Sequence, residues 1–145
     1  MNVVYNLGER RRKKQWKFER SMLRSLSIHE MRNDAERTFF SGQIGETVGT
    51  LYLMDFCLDI GIDAYLLGSE YARFGYFGET AEQAEKRCEE ELNALTGQTA
   101  SQFTAWYTGG ERSIDEHRKK SSAFIKKWWK KGFTEGEKKY RLRLH

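Results

Sequence analysis

Apolar residues recur along this chain with the spacing of helices. From Glu9 onward, Phe18, Met22 and Leu26 fall at i, i+4 and i+8, with Leu23 beside them, and make one apolar stripe. Residues 1–8 precede that pattern and read as a short extended or frayed lead. Ser27 and Glu30 fit a capping box, in which a hydroxyl and a carboxylate each satisfy a free backbone N–H at a helix start. A second helix is therefore expected from Ile28, with Ile28, Met31, Ala35 and Phe39 as its buried line, ending by Gly42.

Residues 42–78 form the one long apolar segment, and the chain is organised around it. The pattern predicts a helical hairpin. A first helix runs from about Ile44 to Ile60, Gly61 stops it, and Asp63 caps a second helix to Tyr76. Glycines at 42 and 49, and at 61, 68 and 75, recur every seven residues and return close to one helix face. Glycine in a helix costs roughly 1 kcal/mol of propensity, so such a repeat points to backbones packed closely together. The alternative takes these glycines as turn punctuation that breaks the stretch into shorter helices.

Beyond Gly78, Thr80 and Gln83 form a second capping pattern ahead of an acidic helix over 81–96. Its apolar line is thin (Ala81, Ala84, Cys88, Leu92, Leu95), and Gly97 is its expected stop. Thr99 and Gln102 start a short helix that carries Phe103, Trp106 and Tyr107 and ends at Gly109-Gly110. Ser113 and Glu116 cap a long helix to Lys131, with Ser121, Phe124, Ile125 and Trp128 on one face. Thr134 and Glu137 cap a last short helix that leads into a basic tail, 138–145.

Composition agrees with this pattern. Proline is absent, and 14% aromatic residues supply bulk for a core despite 32% charged ones. The fold class is all-α: a single-domain bundle of about six helices over residues 1–145, around a central glycine-lined helical hairpin. No internal repeat or linker divides the chain. Residues 51–67 approach membrane-span length, but Asp55, Asp59 and Asp63 in or beside that run argue against a span. Residues 1–20 lack the apolar core of a secretion signal, and two cysteines make neither a disulfide framework nor a zinc-ligand spacing. A cytoplasmic protein is expected.

Charge is distributed unevenly. Residues 1–41 carry a net +5, 42–78 a net −4, 79–110 a net −4 and 111–145 a net +7. Basic ends could simply lie against the acidic middle, or they could meet an external anionic partner. Two segments combine cations with tryptophan: Arg11, Arg12, Lys13, Lys14 and Trp16 near the start, and Lys126, Lys127, Trp129, Lys130 and Lys131 near the end. Such segments can hold nucleic acid or an anionic membrane surface. They also suit ordinary amphipathic helices whose lysines reach past the core into water. Trp129 lies off the main apolar line and is the residue whose exposure would separate these readings.

Candidate chemistry is sparse. Asp55 and Asp59 share a helix face, and with Asp63 they could bind a divalent cation or do acid–base work. They could equally mark the solvent side of the helix or pair with the basic ends. His29, His117 and His145 are scattered, and none follows a Glu by three positions as a di-iron bundle requires. Cys57, between Phe56 and Leu58, reads as a buried inert thiol, and Cys88 has mixed surroundings. Gly42, Gly45 and Gly49 match no phosphate-cradling or dinucleotide loop, so no cofactor is implied.

In length, cap pattern and central hairpin, with the segments FERSMLRSLSIHEM (18–31) and FCLDIGIDAYLLGSEYARFGYFG (56–78), the chain resembles a small helical family of unknown function from Bacillus-type bacteria. The resemblance implies a cytoplasmic bacterial protein and carries over no functional residue. The expected function is non-enzymatic binding or regulation through a macromolecular partner, a protein before nucleic acid or an anionic membrane. The other expectations are an enzyme using Asp55 and Asp59, and a homo-oligomer packed through the glycine-lined helices.

Overall fold

A computed structural model of the protein describes residues 3–40, 48–106 and 111–143, and the side chains of 9–40, 48–106 and 114–142. Among these residues all regular structure is helical. The six helices are α1 (Val3–Arg24), α2 (Ile28–Phe39), α3 (Val48–Tyr76), α4 (Ala81–Arg87), α5 (Glu89–Trp106) and α6 (Glu111–Arg143). The helix of α1 thus begins at Val3, within the expected frayed lead. Extending an existing helix is far cheaper than nucleating one, and a single Gly8 does not stop it.

The central stretch is one helix of 29 residues, not a hairpin. It passes through Gly61 and Asp63 without a break. A glycine ends a helix by taking a left-handed backbone, and among the described residues only Gly78, with φ 109°, does so. The glycines of α3 serve the other purpose, close approach, but their partner is α6. A Cβ on Gly68 would strike the Trp129 carbonyl oxygen, and one on Gly132 would strike the Tyr65 carbonyl oxygen. The two backbones therefore touch reciprocally. Gly136 adds to this, since a Cβ there would lie 2.6 Å from the Ala72 Cβ. Gly68 meets Trp129, Ala72 meets Gly136 and Gly75 meets Glu137, so the two helices run in the same direction.

The same physics extends α5 and α6. Gly97 sits within α5 facing open space, and Thr99 bonds back to the Leu95 carbonyl instead of capping a new helix. The acidic segment breaks earlier, at Cys88, whose N–H closes α4 onto the Glu85 and Lys86 carbonyls. Helix α6 continues past Lys131 and Thr134 as a 33-residue rod. Gly109 and Gly110 lie outside the described residues, as do the side chain of Ser113 and the segment 41–47.

Helices α1 and α2 lie end to end along this pair, running against it. Phe18 of α1 meets Tyr140, with ring centroids 5.3 Å apart, and the Tyr65 hydroxyl donates to the Met22 carbonyl at 3.0 Å. In α2, Glu30 bonds Lys131, Asp34 meets Lys127 and Trp128, and Phe39 packs on Phe124. Met22, Met31, Ala35 and Phe39 are buried as the spacing predicts, while Ile28 and Leu23 stay exposed. The Ser27 cap is half a box: its hydroxyl accepts from the Glu30 N–H, but the Glu30 carboxylate is drawn to Lys131. Thr80 and Gln83 form the complete box, at 3.2 and 2.9 Å.

Candidate anion-binding face

Three of the four lysines at 126–131 pair with carboxylates of other helices. Lys126 pairs with Glu85 at 3.4 Å, Lys127 with Asp34 at 2.8 Å, and Lys131 with Glu30. Trp129, expected as a possible surface residue, is wholly buried. Gly68 lets α6 approach so closely that this position has no path to solvent, and the indole stacks on Phe133 with centroids 5.2 Å apart. Of the late segment, only Lys130 is an exposed cation with no ion pair among the described residues.

The early segment behaves differently. Residues 10–17 are all exposed, and they carry Arg10, Arg11, Arg12, Lys13, Lys14 and Lys17. None of these six forms an ion pair among the described residues. The cause is local: Trp16 is the one apolar side chain in residues 10–17, so this stretch has no apolar face to dock. Trp16 is 57% exposed, and the Arg20 guanidinium lies over its ring at 4.5 Å. That cation–π pairing covers one face of an indole that remains largely exposed.

The Phe18–Tyr140 contact places the end of α6, which carries Lys139 and Arg141, beside this stretch. These two were legible only as part of a basic tail; their union with α1 depends on α6 running unbroken to Arg143. A groove between α1 and the α3–α6 pair is lined by Lys14, Phe18, Glu19, Glu70, Arg73 and Tyr140, so its floor is of mixed charge. The face outside it is cationic.

Asp55, Asp59 and Asp63 form an exposed line at i, i+4 and i+8 on α3. Partial burial, reinforced by Asp59, pushes the Asp63 carboxyl above its ordinary value. Among the described residues no group of three or more His, Cys, Asp or Glu is placed to hold a metal ion. Burial raises the Cys57 thiol to about 12. It raises Cys88 to about 11, against a smaller downward pull from the Trp129 indole. His117 approaches Thr104 Oγ1 at 3.4 Å, and burial, with Lys120 nearby, lowers its pKa. Thr104 Oγ1 donates to the Ala100 carbonyl at 2.8 Å. The exposed cations can hold anions by charge.

An all-helical protein with an exposed basic arm on a closed core is the class that fold and face define. Among the described residues no helix is long and apolar enough to cross a membrane. The chain belongs to the family described as "Protein of unknown function (DUF2521)", whose model matches residues 1–145. It is similar to the "Uncharacterized protein YbaK" of Bacillus subtilis (strain 168), at 28% identity over 149 residues, covering 99% of each chain. No solved structure shows a significant match.

Proposed function

We propose that this is a non-enzymatic binding protein that docks a polyanionic macromolecule, a nucleic acid, on the exposed basic face of α1, with Lys139 and Arg141 of α6 extending that face. One observation carries the reading. Lys126, Lys127 and Lys131 of α6 are paired with Glu85, Asp34 and Glu30, whereas the six cations of residues 10–17 form no ion pair among the described residues. Concentrating like charge on one exposed helix is electrostatically unfavourable in the isolated protein, and a partner rich in phosphate relieves it. The cations surround the helix on most sides, and among the described residues the exposed apolar groups are Trp16 and Leu23 on α1 and Leu142 beside Arg141 on α6. That suits phosphate contact with one stacking ring better than insertion of an apolar face into lipid.

Electrophoretic mobility shifts with single-stranded and duplex DNA and RNA, across a salt series, test it. Binding is expected at low salt. Its logarithm should fall with log salt at a slope near −0.7 to −0.9 per phosphate contacted. Replacing Arg11, Arg12, Lys13 and Lys14 with Gln should weaken binding by more than about tenfold and flatten that slope. Sedimentation with anionic vesicles separates the rival partner. Binding to vesicles alone would assign the face to a membrane surface. Binding to neither at low salt would leave an acidic protein and remove the nucleic-acid reading.

A further inference from the structure

A second site lies elsewhere on the molecule, where the α1–α2 turn faces α6. There a cavity of about 510 Å³ opens between Leu26, Tyr65, Trp128, Lys130, Thr134 and the first turn of α2. Its size falls in the range of small-ligand clefts, about 300–1,000 Å³. We infer that it binds a small planar organic anion, an aromatic carboxylate or phosphate of this size, with its ring against Trp128 and Tyr65 and its charge at Lys130.

The floor is rigid before any ligand arrives. Trp128 and Tyr65 are each 2% exposed. Both are held by their polar ends: Trp128 Nε1 donates to Asp34 at 2.9 Å, and the Tyr65 hydroxyl donates to the Met22 carbonyl at 3.0 Å. Asp34 is itself 5% exposed and also accepts from Lys127 at 2.8 Å. Lys131 adds a cation 4.4 Å from the Trp128 ring centre. A ligand ring therefore meets surfaces that need no reordering, which removes one cost of binding.

The charges around the cavity set the sign of the ligand. Every carboxylate there already has a cation: Glu30 has Lys131, Glu135 has Lys138 at 3.2 Å, and Asp34 has Lys127. One cation is left over, Lys130, which is exposed and has no ion pair among the described residues. The first turn of α2, capped by Ser27, borders the same opening and contributes the positive end of a helix dipole. The Thr134 side chain, exposed at the rim, offers a hydroxyl donor. One net cation, a positive helix end and an aromatic floor favour a flat molecule with one acidic group over a neutral ligand or a cation.

The probe is 8-anilinonaphthalene-1-sulfonate, whose sulfonate stands in for a carboxylate or phosphate, titrated against the full chain by its own fluorescence and by quenching of tryptophan emission. One saturable site per chain is expected. Its uncharged parent, N-phenyl-1-naphthylamine, should bind about tenfold more weakly, as should the sulfonate to Lys130→Gln. Thr134→Trp, which fills the rim from an exposed position, should abolish binding. Lys86→Gln, the same loss of charge on exposed α4, should not alter it. Near-ultraviolet circular dichroism checks that each variant keeps a packed core. Absence of saturable binding overturns the inference, as does binding unaffected by Lys130→Gln and Thr134→Trp. Equal affinity for the uncharged parent overturns its anionic half.

Discussion

Glycine has two opposite meanings in this chain, and single substitutions separate them. Gly68→Ala and Gly132→Ala each place a methyl group against a backbone carbonyl, which no side-chain rotation can relieve. Each should destabilise by about 3 kcal/mol or more, at the upper end of overpacking costs. Gly97→Ala sits mid-helix in open space and should stabilise by about 0.5–1 kcal/mol. Urea unfolding of the three variants checks both signs at once. The thiols give a second measurement at this scale. With Cys57 raised to about 12 and Cys88 to about 11, neither should react appreciably with iodoacetamide at pH 8 in the folded protein. Both should react once the chain is unfolded in denaturant, which mass spectrometry resolves site by site. Asp34 is the buried charge whose loss matters most. Asp34→Ala strands the Trp128 N–H in the core and releases the half-exposed Lys127 to water, and is expected to cost about 1–3 kcal/mol.

At the scale of elements, what the sequence made legible was local, and what it hid depended on distant partners. The Thr80–Gln83 box is an interaction across three residues, and it stands as its spacing predicts. So does the buried line Ser121, Phe124, Ile125 and Trp128, because a 3.6-residue period is written into adjacent turns. Gly61 looked like a helix stop because nothing nearby in sequence reveals that the Met31 side chain fills the space beside it. Trp129 looked like a surface residue because its burial requires Gly68, sixty-one positions earlier, to admit α6. The candidate face was half legible. The early segment is legible as basic, and the structure leaves residues 10–17 exposed. The lysines at 126, 127 and 131 read the same way, yet their carboxylate partners come from α4 and α2. Stability should follow this division. Residues 10–17 of α1 are all exposed, so amides 10–14 should exchange hydrogen far faster than those of α3 around Gly68, as native-state exchange mass spectrometry would measure.

At the scale of the molecule, α6 is the element against which the others pack. It meets α1 through Tyr140, α2 through Lys127 and Trp128, α3 through Gly132, and α4 through Lys126. Ending the chain at Lys131, where the residue pattern places a helix end, would remove Gly132, Phe133 and Tyr140 together. Such a truncation should lose the cooperative thermal transition, not merely shift its midpoint, by circular dichroism. Acid should also act through one contact spread between distant helices. Lys131 lowers the Glu30 carboxyl below its ordinary value. A carboxyl depressed on folding contributes stability that is full above its unfolded value and is lost as pH falls through the folded one. Glu30→Gln should therefore reduce stability near neutrality and narrow the gap to the parent protein below pH 4.5, the ordinary carboxyl value.

The touching backbones of α3 and α6 also fix an alignment. Most packed helices meet through side chains, which can adjust when one helix slips along the other. Here the two rods meet at glycines. A slip of one residue, about 1.5 Å, would bring a side-chain-bearing position to a place where only hydrogen fits. The pair therefore has one permitted axial register, as a toothed rack has one seating. Lys130 and Thr134 at the cavity, and Lys139 and Arg141 at the basic face, are all carried on that rack, so their heights along the molecule are set by the glycines between them.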